Sequence, residues 1–167
     1  EKMQCMEIWG GNRAIDKSFA APGLAIYVHS SPYQGSEVGG GDIYYLTSCA
    51  SGRISRLLLA DVSGHGEAAS NVAIALRDLL RKNVNTISQE TFVIEMNREF
   101  GELAKEQCFA TAVVATFFEP TRSLSLSVAG HPHPIYFRSA KQRWIHFDPE
   151  GREGPGFDNL PLGIHVD

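Results

Sequence analysis

Cysteine is scarce in this chain: three residues, Cys5, Cys49 and Cys108, stand far apart with no CxxC pair. An odd, dispersed set excludes a disulfide framework and a cysteine zinc cluster, and it predicts reduced thiols in a cytoplasmic protein. An excess of basic charge is also lacking. Fifteen Lys and Arg against nineteen Asp and Glu leave a net charge of -4. No general basic face is on offer to displace counterions from phosphates, so nucleic acid is not an expected partner. Long apolar runs are missing too. The longest, Ala110 to Phe118 (ATAVVATFF), is about half of a membrane span, so no membrane partner is expected. The N-terminal EKMQCMEIWGGN has neither the apolar core nor the cleavage site of a signal peptide. There is no P-loop, no GxGxxG, no repeat and no low-complexity tract. What is there is the composition of a folded domain, 43% hydrophobic and 20% charged. Its 167 residues suffice for one core and hardly for two. We read residues 1–167 as a single domain, with 1–23 a lead-in and the core beginning near Leu24.

Periodicity divides the chain. Leu24 to Ser30 (LAIYVHS) alternates as a strand, and Ser31 to Gly41 is a turn-rich loop. Ile43 to Ser48 and Arg53 to Val62 read as strands around an Ala50-Ser51-Gly52 turn; the second ends in the apolar run LLLADV of a doubly covered strand. Gly66 to Val84 reads as a helix with Val72, Leu76, Leu79 and Leu80 on one face. A second helix, capped by Ser88, runs to about Glu106 with Phe92, Met96, Phe100 and Leu103 as its stripe. Phe109 to Phe118, Ser123 to Ala129, Ile135 to Arg138 and Arg143 to Phe147 read as strands again. Strands, two adjacent helices, then strands is an α+β order with mainly antiparallel pairing.

Chemistry concentrates in Leu59 to Gly66, LADVSGHG. An apolar strand delivers Asp61 at its C-terminal end, and a glycine-flanked turn opens a helix. Divalent ions take such oxygen ligands; the alternative is that Asp61 and Ser63 only cap the helix and Gly64 and Gly66 only make the turn. In Gly39 to Asp42, GGGD, an aspartate opens a strand it does not favour, either as an ordinary loop carboxylate or as a partner of Asp61. If the two strands are neighbours, the carboxylates repel unless a cation joins them.

Five blocks in order, GGGD, ADVSGHGEAAS, FATAVVATFF, VAGHPHPIYF and LPLGI, resemble the SpoIIE-like branch of the metal-dependent (PPM, type 2C) serine/threonine phosphatases. The resemblance implies an αββα sandwich of two mainly antiparallel sheets with helices outside. It implies that Asp61 bridges two Mn²⁺ or Mg²⁺ ions, that Val62 lends its backbone carbonyl, and that Asp42 joins the cluster directly or through water. Asp61 and Asp42 are thus the expected metal-binding and catalytic residues. Water activated by the metals attacks the phosphorus of a phosphoserine or phosphothreonine without a covalent intermediate. The implied substrate is a phosphorylated regulatory protein such as an anti-sigma-factor antagonist (STAS domain).

Three departures accompany the resemblance. Tyr45 stands where the branch often has an aspartate. Ser63 stands where eukaryotic-type members place a histidine, so that role does not pass to His65. Two further aspartates of the family site belong downstream of LPLGI, and Asp158 and Asp167 stand in unlike contexts. The reading is therefore of a domain incomplete at its C-terminal end, with weak metal affinity as it stands. A non-catalytic pseudophosphatase that binds a partner is the alternative. A zinc site at His131 and His133 wants a third and fourth ligand that no spacing supplies, so a structural loop is preferred there.

Overall fold

The computed structural model describes residues 6–11, 14–31, 40–104, 108–146 and 160–164. Its main element is a five-stranded antiparallel sheet of β1 (Met6–Gly10), β4 (Asp42–Ser48), β5 (Ile54–Val62), β6 (Ala110–Phe118) and β7 (Ser123–Ala129), in that order across the sheet. Two hairpins accompany it: β2 (Ile15–Ala21) with β3 (Leu24–Ser30), and β8 (Ile135–Arg138) with β9 (Arg143–His146). Between β5 and β6 the chain forms α1 (Gly66–Asn83) and α2 (Gln89–Ala104). The fold is α+β with antiparallel sheets and flanking helices, as the element order predicts.

Alternation sets the two faces of the main sheet. Ile43 and Tyr45 of β4, Leu58, Ala60 and Val62 of β5, and Ala110, Ala112 and Val114 of β6 form the core with Leu76, Leu80, Phe92, Met96 and Phe100 of the helices. Small Ala69 and Ala73 are buried where α1 meets the sheet. The opposite face carries Tyr44, Leu57, Leu59, Val113 and Leu126. With Ile26 and Val28 of β3 these line a cavity of about 500 Å³, so the β2–β3 hairpin lies over the face away from the helices. Asp42, Asp61 and Thr111 belong to this second face by parity.

The structure differs from the sequence reading at identifiable points. No strand is expected before Leu24, yet β1 forms an edge of the main sheet. It is held by tertiary contacts: Arg81 pairs with Glu7, and the Arg77 guanidinium lies 4.2 Å from the Trp9 ring centre. The β2–β3 hairpin closes through Pro22-Gly23, where Gly23 takes φ +74°; that Pro-Gly pair was a turn signal. Leu103 of the expected α2 stripe is 39% exposed, while Glu99 is buried in its place. Ser88 does cap α2, accepting from the Thr91 N–H at 3.2 Å. The end of α2 beyond Ala104, most of the loop from Ser31 to Gly41, and Asp158 and Asp167 lie outside the described residues.

Candidate metal centre

The strand register brings the two expected carboxylates together. Asp42 is the direct cross-strand partner of Asp61, and Asp61 is in turn the partner of Thr111 on β6. Direct partners in an antiparallel pair have Cβ atoms about 4.5–5.5 Å apart on one face. Burial pushes the Asp42 carboxyl above its ordinary range, and the Asp61 charge adds to the rise; His131 nearby pulls it partly back. Two carboxylates set against each other in this way are a donor set that a hard divalent cation relieves.

Glycines fix the backbone around this pair. Gly41 precedes Asp42 and lies against the Val62 carbonyl, which a Cβ at position 41 would overlap; the Val62 N–H donates to the Gly41 carbonyl at 3.1 Å. A Cβ on Gly11 would likewise overlap the Asp42 carbonyl oxygen. The expected backbone ligand, Val62, thus sits beside Asp42, with its side chain in the helix-facing core. Gly64 and Gly66 take φ of +106° and +71° in the turn that leads from Asp61 into α1.

Ser63 does not cap α1. It is tied instead to Phe109, the residue before β6: its N–H donates to the Phe109 carbonyl at 2.8 Å, and its hydroxyl accepts from the Phe109 N–H at 3.0 Å. His65 is the N-cap by backbone, exposed and with no side-chain cap bond.

The later blocks converge on the same end of the sheet. Leu162 exchanges two backbone hydrogen bonds with Ala110, at 3.0 and 2.8 Å, and Gly130 bridges Ala112. Gly130 has φ +62° and abuts Pro161, so the AGH and LPLG segments pack together. The Gly163 N–H donates to Asn97 of α2 at 2.9 Å. His131 follows Gly130, and its Nδ1 lies 2.8 Å from the Thr111 hydroxyl. Asp42, Tyr44, His29, Ser30, Ser31 and His131 share the lining of a cleft of about 290 Å³. His133 is exposed, and among the described residues no group of three or more His, Cys, Asp or Glu is placed to hold a metal. Asp42 and Asp61 stand there as a cross-strand pair of carboxylates.

Sequence reasoning passed over Thr111 and the orientation of His131. Parity was the available signal for Thr111, which lies on the face of β6 opposite Ala110 and Ala112. No periodicity foretells the Thr111–His131 bond, which joins residues twenty apart.

The fold has a solved counterpart in the RsbU and RsbW domains of Rv1364c from Mycobacterium tuberculosis, with a TM-score of 0.63 at 22% identity. The match covers 79% of this chain and 35% of that one; at this identity the likeness is one of fold. Among curated proteins none matches. The family model for Stage II sporulation protein E (SpoIIE) matches residues 51–164, which include Asp61 and His131 and leave Asp42 outside. That match takes in more than half of the sequence, and the chain belongs to the SpoIIE family of phosphatase-like domains.

Proposed function

We propose that this domain contributes to metal-dependent hydrolysis of a phosphoserine or phosphothreonine, and that Asp42 and Asp61 are its metal-binding half. The observation that carries the reading is the direct cross-strand pairing of these two carboxylates at the sheet end where the sequence blocks meet. A divalent ion, Mn²⁺ or Mg²⁺, would supply an acidic water and positive charge toward the phosphoryl oxygens. The chain's own residues have simpler tasks. Asp61, at the end of a buried strand, presents a carboxylate on a rigid support; Asp42 completes the pair; Gly41 lets the Val62 carbonyl approach. Two carboxylates are fewer donors than a hard cation takes, so these residues do not by themselves make a catalyst.

A second reading is a phosphatase-fold module that binds a partner without turnover. The lack of a third metal-binding side chain among the described residues favours it. On either reading the partner we infer is a phosphorylated regulatory protein of the anti-sigma-factor antagonist (STAS) kind. Its support is the family and a structural relative that comprises RsbU and RsbW domains. A cytoplasmic site of action is inferred from the free Cys49 and Cys108 thiols. No helix among the described residues is long and apolar enough to cross a membrane.

The deciding experiment is Mn²⁺-stimulated release of phosphate from a phosphopeptide by the full-length gene product. The enzymatic reading expects activity that Asp61→Asn lowers by at least about a hundredfold, since removing one electrostatic stabiliser from a reacting centre costs on that scale. Asp42→Asn should cost less. Binding of the phosphoprotein with no turnover establishes the second reading instead.

A further inference from the structure

The cleft beside Asp42 poses an electrostatic problem. A phosphoryl group approaching it meets the Asp42 carboxylate, with Asp61 its cross-strand partner, and a divalent ion offsets that repulsion only on the side it occupies. Anion sites ordinarily add Arg or Lys to hold the remaining oxygens. Here no Lys or Arg lines the cleft among the described residues. The side-chain donors in its lining are the hydroxyls of Ser30, Ser31 and Tyr44 and the rings of His29 and His131.

His131 is the one that the fold holds from two sides. Gly130, in a left-handed conformation, bridges Ala112 of β6 and abuts Pro161, which fixes the backbone entering the histidine. The ring is held through Nδ1 by Thr111, and Thr111 is the cross-strand neighbour of Asp61. One face of three adjacent strands therefore carries the row Asp42, Asp61, Thr111, with His131 bonded to its end. If the Thr111 hydroxyl donates to Nδ1, the ring proton resides on Nε2. That atom forms no other hydrogen bond among the described residues.

We propose that His131 is a phosphoryl-contacting residue of this site, donating its Nε2–H to a phosphate oxygen while Thr111 sets the tautomer and angle of the ring. The proposal rests on the metal-dependent phosphatase reading and deepens it. His131 is a substrate-binding residue here and Thr111 a positioning residue.

The test is inorganic phosphate binding, followed by calorimetry, to the full-length gene product in saturating Mg²⁺, with Mg²⁺ affinity measured separately. Two substitutions separate the ring nitrogens. His131→Gln places an amide N–H at about the reach of Nε2, and His131→Asn places one at about the reach of Nδ1. The Gln variant should bind phosphate within about threefold of the native protein. The Asn variant, which keeps the Thr111 partner, should bind about tenfold more weakly, the scale of one hydrogen bond to a charged group. Thr111→Val should fall between them, and Mg²⁺ affinity should be unchanged in all three. With an aryl phosphate the Asn loss should fall on KM more than on kcat. Native-like phosphate binding by the Asn variant overturns the proposal. So does a loss of Mg²⁺ affinity in step with phosphate, because the histidine would then serve the metal or the fold. If the native protein binds Mg²⁺ but no phosphate, the phosphatase reading itself falls and takes this proposal with it.

Discussion

At the scale of the residue, Asp42 shows what a carboxylate placed against another carboxylate costs the fold. It faces Asp61 across a strand pair, and His131 offsets only part of the cost of burial and of that neighbouring charge. Its folded pKa is raised, so the folded protein holds this proton to higher pH than the unfolded chain does. The sign follows by linkage. Ionised Asp42 lowers stability as pH climbs past the ordinary carboxylate range, near about 3.9, and the penalty is complete above the raised value. In metal-free protein at pH 7, Asp42→Asn should therefore raise the melting temperature. Partial exposure keeps the gain below about 1 kcal/mol. Below the ordinary carboxylate range the two proteins should melt together, and added Mg²⁺ should stabilise the native protein more than the variant. An Asn variant that melts lower at pH 7 would show that this carboxylate is not under repulsion. That Asp42 and Asp61 would meet was legible only as a condition, that their strands be neighbours, and the β4–β5 register meets it. His131 was visible only as part of a motif, since its partner arrives from another strand.

Among the elements, the helix pair is fastened to the sheet by one buried cation. Arg56 lies on the helix-facing side of β5 and is 3% exposed. Its Nε donates to the Thr116 hydroxyl at 3.0 Å. Its two terminal nitrogens donate to the Val84 and Thr86 carbonyls, at 3.3 and 2.8 Å. Those carbonyls lie just past the end of α1, where the helix dipole favours positive charge. The guanidinium also sits 4.1 Å from the Phe92 ring centre. The Thr116 hydroxyl donates to the Gln89 side-chain carbonyl, and the Gln89 amide donates to the Val114 carbonyl at 2.9 Å, so the start of α2 is tied to β6. A lysine keeps the charge but not the fork. Arg56→Lys should cost about 1–3 kcal/mol in urea unfolding, the scale of charged hydrogen bonds left unmade. A neutral result would mean that the fork does not hold the α1–α2 connection. Glu99, buried, links α2 to the last turn of α1 by accepting from Lys82 and Asn83. The Lys82 hydrogen bond pulls its carboxyl below the usual range against the opposing effect of burial, with Asn83 and Arg98 helping Lys82. That contribution is present above the ordinary Glu range, near about 4.3, and is lost as pH falls through the lowered value. Glu99→Gln should flatten the acid limb of the stability curve, read from melts between pH 5 and 3. The helices themselves were legible by period and cap. Arg56 was not, because a charged residue in an apolar strand gives no local sign of which carbonyls it will meet.

For the whole molecule, the order of sequence blocks proved more informative than any one block. Segments from Gly40 to Ile164 meet at one end of a sheet, and the register between β4, β5 and β6 does the joining. Periodicity alone predicts the strands but not this register, which long-range pairing decides. The edge position of β1 was illegible for the same reason, since Trp9 and Glu7 find their partners on α1. The same geometry limits what the chain can do with metal. Mg²⁺ and Mn²⁺ take near-octahedral oxygen shells, and the described residues offer two carboxylates and a backbone carbonyl next to them. Calorimetry on the 167-residue chain should therefore find Mn²⁺ bound more weakly than about 10⁻⁴ M, in the range of sparse carboxylate sites. Asp61→Asn should abolish that binding, because one remaining carboxylate leaves a dication held at a single point. Asp42→Asn should abolish it for the same reason, and aryl phosphate turnover by this chain should be negligible. Tight one-to-one binding would mean that further ligands complete the centre, and the half-site account would then be wrong.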